Sequence, residues 1–213
     1  MKFLVLSGPT REYIDPVRFI SNDSSGKMGK ALADEIVKRK HNVIFITGQA
    51  QVLPNPNNSI KIIKVVSADD MFLALKRNFK TADIVIGAAA VSDFKPQNFS
   101  KRKIKKDKSI LPLKLIKNPD IIAYCGKNKK TQAIAGFALE TQNLIKNAQK
   151  KLKEKNLDLI IANSKEALGA AGNSAYIINS EGQIISIKKA NKNKIAEKII
   201  NETIKIFRNN NPC

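Results

Sequence analysis

Tryptophan is absent from this 213-residue chain, histidine occurs once, and aromatic residues make up only 6%. The core must therefore be built from Ile, Leu, Val and Ala rather than from aromatic rings. The two cysteines, Cys125 and Cys213, have neither the spacing of a metal motif nor the number of a disulfide framework. Because His41 is the only histidine that could activate a thiol, the sequence gives no support for a cysteine nucleophile.

Long apolar runs are also missing. No segment approaches the roughly 20 apolar residues that a transmembrane helix requires. The apolar segment near the N-terminus, KFLVLS, is too short for a signal peptide and is followed at once by Gly8-Pro9. We therefore expect a soluble cytoplasmic protein with no membrane partner.

Acidic residues are scarce relative to basic ones. The chain has 38 Lys and Arg against 18 Asp and Glu, which gives a formal charge of +20. Such a charge favours anionic partners. The aromatic residues that accompany basic ones in RNA-binding surfaces are missing, and so are zinc-finger and RNA-recognition signatures. We expect no specific nucleic acid, although a basic nucleic-acid-binding module stays an alternative, as does a charge spread over solvated faces.

Apolar runs alternate with segments of helical periodicity along the chain. Buried strands are predicted at 2–7, 42–48, 60–66, about 83–87, 132–141 and 157–163. Helices are predicted after Ser24 or Ser25, after Ser67, after the strand within 132–141, and at 193–207, and a hairpin at 175–187 turns at Glu181-Gly182. This order predicts an α/β fold with a Rossmann-like parallel sheet flanked by helices, a C-terminal antiparallel hairpin, and one domain over 1–213.

Residues 99–117 break this alternation. The segment FSKRKIKKDKSILPLKLIK contains eight basic residues and one acidic residue, and it ends in an alternation at Leu111, Leu113 and Leu115. We predict a basic arm with strand character that leaves the sheet, in which Lys103, Lys105 and Lys106 suit a polyphosphate. A solvated run of charge is the alternative.

The stretch FISNDSSGKMG places two glycines, Gly26 and Gly29, at a predicted helix entrance. Free backbone N–H groups at such an entrance favour an anion. The spacing matches neither the dinucleotide fingerprint nor the P-loop. Simple helix capping explains Ser24 and Ser25, but it gives Arg18 and Asn22 no role.

Two further stretches are predicted to lie at strand ends. The small residues from Gly87 to Asp93 suggest that something flat lies against the backbone, with Asp93 able to bind a metal or a hydroxyl group, although close helix packing is an equal alternative. Lys151 and Lys155 lie one helical turn apart, where like charges repel. A bound phosphate would explain that pair, but exposed lysine pairs are also common.

Six segments together resemble the phosphopantothenate-cysteine ligase family, also called phosphopantothenoylcysteine synthetase. They occur in family order across nearly the whole chain and are SGPTREYIDPVRFISNDSSGKMG, AAAVSDF, KIKK, KNPDI, GFALET and KLKEKNLDLIIAN. The lysine segment KIKK resembles that of the bacterial, CTP-dependent form. Each segment alone is weak, but six in order are specific.

The resemblance implies a two-stage reaction in coenzyme A biosynthesis. The carboxylate of 4'-phosphopantothenate attacks the α-phosphate of CTP, which releases pyrophosphate and leaves an acyl-cytidylate. The amine of L-cysteine then displaces CMP. No protein nucleophile is needed, and Mg²⁺ with clamping lysines would neutralise the phosphate charge.

The resemblance also assigns residues. It places Asn22 on the acyl intermediate with Arg18 nearby, Asp93 near the metal, and Lys103 on the phosphates. Substrate contacts would come from Ser24, Ser25 and Gly26. The nucleotide would be bound by Gly87, Ala88, Ala89, Asp93, Lys103, Asn118, Pro119, Asp120, Ile121, Phe137, Lys151 and Lys155.

The family is typically dimeric, so a homodimer with the arm reaching across to its neighbour is implied. Many bacterial relatives carry an N-terminal flavin-dependent decarboxylase domain, whereas this chain starts at its first strand; the resemblance therefore implies a separate decarboxylase. From the resemblance we expect His in many relatives where Asp23 stands, and an acid there would weaken anion affinity slightly. An NAD(P)-dependent oxidoreductase with a Rossmann-like sheet is the enzyme alternative, although the glycine fingerprint is missing.

Overall fold

The computed structural model describes residues 1–105, 109–140, 142–164 and 172–212. The strands in these ranges are β1 (Lys2–Ser7), β2 (Arg11–Tyr13), β3 (Phe19–Ser21), β4 (Asn42–Thr47), β5 (Ile60–Lys64), β6 (Ile84–Gly87), β7 (Phe94–Pro96), β8 (Leu115–Lys117), β9 (Ala133–Glu140), β10 (Leu159–Ser164), β11 (Gly172–Asn179) and β12 (Ile184–Asn191). The helices are α1 (Lys27–Lys38), α2 (Ala68–Phe79), α3 (Ile121–Asn128), α4 (Leu144–Glu154) and α5 (Lys192–Asn210).

Eight strands form one sheet in the order β12-β11-β10-β9-β6-β1-β4-β5. All neighbouring pairs from β10 to β5 are parallel, whereas β11 pairs antiparallel with both β10 and β12. The β11–β12 turn contains Gly182 at φ 84°, a conformation that glycine adopts without steric cost. The predicted Rossmann-like sheet and its terminal hairpin are confirmed.

Helices cover both faces of this sheet. On one face α1 and α5 pack through aliphatic side chains such as Leu32, Ile36 and Ile199, against Phe3 and Phe45 of the strands. On the other face α2, α3 and α4 contribute a second set of buried side chains, among them Met71, Leu75, Ile121, Cys125 and Leu152. The core is therefore mainly aliphatic, as the composition predicts. None of the helices in the described ranges has the length and apolar character that membrane crossing demands.

The start of α1 differs from the prediction. The N-cap is Gly26, at φ 77° with no capping side chain, and not Ser24 or Ser25. A Cβ on Gly26 would lie 2.5 Å from the Cβ of Ala50, so this position needs a residue that lacks a Cβ and adopts the left-handed backbone conformation. At α2, by contrast, Ser67 forms the capping box expected of its sequence.

One helix was not predicted at all. The helix α3 has only eight residues, and its N-cap is Asp120, whose side chain accepts a hydrogen bond from the backbone N–H of Ala123 at 3.0 Å. Such a short helix shows little periodicity in the sequence. Its consequence is that the segment from Asn118 to Ile121 is a helix entrance rather than a plain loop.

The basic arm begins and ends on a two-stranded ribbon outside the main sheet, formed by β7 and β8. Its first half lies against the β2–β3 connection, where Ile104 donates its backbone N–H to Asp15 Oδ2 and accepts from Arg18 Nη2. The predicted excursion from the sheet is confirmed, but strand structure in the described part of 99–117 is limited to Leu115–Lys117. Lys106, one of the three predicted phosphate-binding lysines, lies outside the described residues.

Candidate active site

A cleft of about 1200 Å³ opens at the carboxyl ends of the parallel strands β1, β6, β9 and β10. Ligands of open α/β sheets bind at this edge. The following predicted site residues line it: Asn22, Ser24, Ser25, Gly26, Gly87, Ala88, Ala89, Asp93, Asn118, Pro119, Asp120, Ile121, Phe137, Lys151 and Lys155. Segments up to 133 positions apart in sequence, from Asn22 to Lys155, thus meet around one cavity.

The entrance of α1 packs directly on the end of β1. A Cβ on Gly29 would lie 2.1 Å from Ser7 Oγ and 2.4 Å from Ser7 Cβ, so only glycine permits this approach. Ser25 Oγ accepts a long hydrogen bond of 3.5 Å from the N–H of Lys27, and the first turn holds no acidic residue. The other backbone N–H groups at this end of α1 therefore retain their positive potential. The geometry suits an anion, as the glycines in the sequence indicate.

The loop after β6 is held by polar side chains from three other segments. Asn22 Nδ2 donates to the carbonyl of Val91 at 2.9 Å, and Asn118 Nδ2 donates to the carbonyl of Ser92 at 2.8 Å. The backbone N–H of Ser92 donates to Thr10 Oγ1 at 3.1 Å. Asn22 therefore already anchors one wall of the cleft while its amide stays at the cavity.

The small residues after β6 have two separate explanations. A Cβ on Gly87 would lie 2.8 Å from Ile122 Cδ1 of α3, so packing against that helix restricts this position. Ala88 and Ala89 are half-buried and line the cleft. Close helix packing thus accounts for Gly87, whereas the two alanines leave room for a ligand.

The α3 end of the cleft carries an unused hydrogen-bond acceptor. Asn118 Oδ1 is buried and has no hydrogen-bond partner in the described structure. Phe137 of β9 lines the same cavity and offers an aromatic surface. An amino group of a ligand could donate to Asn118 Oδ1 while a ring packs on Phe137, which is the chemistry a nucleobase presents.

The repulsion expected between Lys151 and Lys155 is offset, because each lysine has its own carboxylate. Lys151 Nζ lies 2.6 Å from Glu140 Oε1, and Lys155 Nζ lies 2.9 Å from Asp120 Oδ2. The hydrogen bond from Lys151 is the main cause that lowers the pKa of Glu140, against a burial effect that raises it. These pairs orient both ammonium groups at the cleft, where the lysines remain able to meet a phosphate.

Arg18 and Lys103, two of the predicted site residues, do not line the cleft. Arg18 binds Asp15, with Nη2 at 2.6 Å from Oδ2, and Lys103 is exposed on the arm. Burial raises the pKa of Asp15, but hydrogen bonds from the backbone of Val17, Ile104 and Arg18 and from the Arg18 side chain outweigh it and hold the pKa at about 2. Arg18 therefore fixes the base of the arm, and its contact with substrate, like that of Lys103, stays a prediction.

The predicted metal ligand, Asp93, belongs to no metal-binding cluster among the described residues. Asp93 is exposed on the cleft wall, and the described ranges contain no cluster of three or more His, Cys, Asp or Glu residues suited to a metal ion. Mg²⁺ is often bound by one or two carboxylates together with substrate phosphates, which a single Asp fits.

Burial raises the pKa of Cys125 to about 12, so this thiol is no nucleophile, and Cys213 lies outside the described residues.

Several cleft residues were missed by sequence reasoning. Lys27, Gln51, Asn163 and Lys192 line the cavity. Asn163 ends a predicted strand, and its Oδ1 is buried without a hydrogen-bond partner in the described part of the chain. The position of Asn163 at the end of the strand LDLIIAN could have indicated a cleft residue, whereas the local sequence around Lys192 does not indicate one.

Comparison with known proteins gives the family. Residues 1–207 match the family model described as DNA/pantothenate metabolism flavoprotein C-terminal domain. The chain is 44% identical over 202 residues to the coenzyme A biosynthesis bifunctional protein CoaBC of Borreliella burgdorferi, a match that covers 93% of this chain and 51% of that protein. It is also 41% identical over 208 residues to a cysteine/cysteine sulfinic acid decarboxylase of an unknown prokaryotic organism, a match that covers 95% of this chain and 58% of that protein.

The chain thus spans about half the length of the CoaBC relative. The single domain predicted over 1–213, without a fused decarboxylase, stays a prediction. Among solved structures, the crystal structure of the C-terminal domain of CoaBC is similar with a TM-score of 0.84 and 32% identity, covering 98% of this chain and 96% of that one. The family expected from six sequence segments is confirmed: this chain belongs to the DNA/pantothenate metabolism flavoprotein C-terminal domain family.

Proposed function

We propose that the protein ligates 4'-phosphopantothenate to L-cysteine in coenzyme A biosynthesis, through an acyl-cytidylate formed from CTP. The observation that carries this proposal is that one cleft is lined by residues of all the segments predicted to bind the nucleotide and the intermediate, except the arm. The matched family and its coenzyme A relatives support the same activity.

In the first stage the substrate carboxylate attacks the α-phosphate of CTP and pyrophosphate leaves. The protein must orient two anions and neutralise charge, and it needs no covalent intermediate with a side chain. Lys151 and Lys155, whose ammonium groups pair with Glu140 and Asp120 at the cleft, would contact the phosphates of the nucleotide. Asp93 would hold Mg²⁺ together with the triphosphate, and the ion would supply further charge neutralisation.

In the second stage the amine of cysteine attacks the acyl carbon, and CMP leaves with the electron pair of the acyl–phosphate bond. The amine loses a proton in this step. Asn22, anchored on the carbonyl of Val91, would hold the acyl group of the intermediate in one orientation. Its amide is polar and uncharged, so it can orient a carbonyl without competing as a nucleophile.

A second copy of the chain would complete the site. Apolar side chains are exposed on the β2–β3 and β7–β8 ribbons and on the arm, including Phe19, Phe94, Phe99, Leu111 and Leu113. Exposed apolar side chains concentrated in one region favour a protein contact. We propose a homodimer through this surface, with Lys103 of each arm reaching the cleft of the other copy.

The deciding assay follows pyrophosphate and CMP separately. Pyrophosphate release should require CTP, phosphopantothenate and Mg²⁺ together, and CMP should appear when cysteine is added. Mass analysis of the product distinguishes ligation from a decarboxylation of cysteine. Pyrophosphate release without phosphopantothenate, or equal turnover with ATP, contradicts the proposed substrate set. Nicotinamide binding without CTP binding would instead favour the oxidoreductase alternative. A cytoplasmic location stays a prediction.

A further inference from the structure

A second cavity lies at the other end of the helices α1 and α5. Both helices begin at the cleft, where Lys27 and Lys192 line the wall, and the 12 residues of α1 span about 18 Å. The second cavity has a volume of about 410 Å³, and its lining includes Arg39, His41, Asn201, Lys205 and Arg208. It shares no lining residue with the cleft, so it is a separate site.

The lining of this cavity is basic. It contains the cationic side chains of Arg39, Lys205 and Arg208, and no carboxylate among the described residues. Glu35 pairs with Arg39, whereas neither Lys205 nor Arg208 forms an ion pair within the described ranges. The carboxyl ends of α1 and α5 supply roughly half a negative charge each, which balances at most one of these two cations. The cavity therefore attracts an anion.

Arg39 is held in place at the wall of the cavity. Its Nε donates to Glu35 Oε1 at 2.7 Å, and its Nη1 donates to Asn201 Oδ1 at 2.5 Å. The guanidinium group is thus fixed between α1 and α5, and its plane is set before any ligand binds. A side chain that is already ordered loses little conformational freedom when it donates to an oxyanion.

His41 senses the electrostatic potential of the cavity. Its ring stacks on Phe3, with the ring centroids 5.7 Å apart and an angle of 23° between the planes. Burial is the main cause that lowers the pKa of His41, and the positive charges of the Met1 amino group, Arg39 and Arg208 lower it further. A bound anion would oppose these charges and raise the pKa of the imidazole.

We propose that this cavity is a second anion-binding site, which takes the phosphate group of a small molecule between Arg39, Lys205 and Arg208. Planar guanidinium groups bind phosphate through paired N–H···O contacts, and a lysine adds a mobile charge. The volume lies within the roughly 300–1,000 Å³ of small-molecule sites, so an ester of phosphate fits as well as the free ion. The site does not depend on the proposed ligation.

The test uses the fact that His41 is the only histidine in the chain. Proton NMR follows its ring resonances in the full chain while inorganic phosphate is added, with chloride at equal ionic strength as the reference for screening. We expect phosphate to raise the pKa of His41 in a saturable way, and chloride to give a smaller change that does not saturate. Phosphate bound in the cleft adds no second histidine signal.

Substitutions identify the groups that bind the phosphate. Arg208→Gln should weaken phosphate binding about tenfold, because one charge-assisted contact is lost, and Arg208→Lys should retain part of the affinity. Lys194→Gln is the control, since it removes one charge from an exposed position of the same helix that does not line the cavity. Thermal unfolding of each variant verifies that the fold is intact.

Two results would overturn this site. The first is an equal response of the His41 pKa to phosphate and to chloride, which would mean that screening alone acts on the ring. The second is equal phosphate affinity of Arg208→Gln and Lys194→Gln. Glycerol phosphate is titrated in parallel to identify the source of the phosphate group. Tighter binding than inorganic phosphate assigns the site to an ester, and weaker binding assigns it to the free ion.

Discussion

Lys151 Nζ lies 2.6 Å from Glu140 Oε1, so a lysine of α4 is tied to the end of β9 at the rim of the cleft. Glu140 also accepts from Asn147 Nδ2 at 3.1 Å, and its side chain is largely buried. The contact fixes where the ammonium group points. Since the nearby Lys150 reaches only the exposed Glu154, at 3.7 Å, α4 carries a cleft lysine and a surface lysine side by side.

Lys151→Gln should therefore weaken nucleotide binding, whereas Lys150→Gln should leave it unchanged. We expect the KM for CTP to rise about tenfold in the first variant, because one charge-assisted contact to phosphate is lost. The KM for phosphopantothenate should stay within a factor of about two. Steady-state kinetics with each substrate varied in turn measures both, and equal behaviour of the two variants would contradict the role of Lys151.

Asn22→Ala should lower the rate of chemistry rather than the affinity for CTP. The side chain is proposed to orient the acyl group, and loss of one orienting polar contact in a reacting complex costs about 100-fold in kcat. Quench-flow detection of the acyl-cytidylate and calorimetry with CTP separate the two effects. An unchanged kcat would contradict the proposed role of Asn22 in orienting the acyl group. Because Asn22 also holds the Val91 carbonyl, thermal unfolding must be measured in parallel.

Lys103→Gln should abolish single-turnover formation of the acyl-cytidylate if the arm supplies its charge. Lys103 is exposed in one chain and does not line the cleft of that chain. Mixing this variant with Asn22→Ala should therefore restore activity, since half of the randomly formed dimers would hold one intact shared site, or about a quarter of the wild-type level. Failure of the mixture to regain activity, with mixed dimers verified by mass, argues against sharing across the dimer.

Asp15→Asn should destabilise the protein in a pH-dependent way. The folded pKa of Asp15, about 2, lies below its unfolded value of about 3.9, so its contribution is fully present above pH 4 and is lost as the pH falls through 2. The difference in unfolding free energy between wild type and variant should thus be larger at pH 7 than at pH 3 by urea denaturation. Asp34→Asn is the control, because its ion pair with Lys30 is partly exposed and contributes little. An equal difference at both pH values would contradict this role.

Gly29→Ala should destabilise the fold by about 1–3 kcal/mol, since the added methyl group would overlap Ser7. The double variant with Ser7→Gly removes both atoms that clash and should recover part of the loss. Urea unfolding of the two single variants and the double variant gives the coupling between the positions. Simple additivity would show that the close approach of α1 to β1 is not the cause.

Much of the fold could be predicted because apolar periodicity is local. The strands of the main sheet and the hairpin at Gly182 are confirmed, since continuous apolar runs and a glycine turn allow few other structures. The N-cap of α1 was wrong because the serines satisfy the local rule, while the contact of Gly26 with Ala50 is tertiary. The helix α3 was missed because eight residues give too short a pattern.

The sequence by itself determined the order of elements, the aliphatic core, and the segments that identify the family. Only the tertiary structure decided which charges face each other. The partners of Lys151 and Lys155 come from the end of β9 and the start of α3. The charge of Lys27 affects the pKa of Lys192 because α1 and α5 share a face. Backbone patterns repeat over a few residues, whereas the environment of a charge depends on chain segments that only packing brings together.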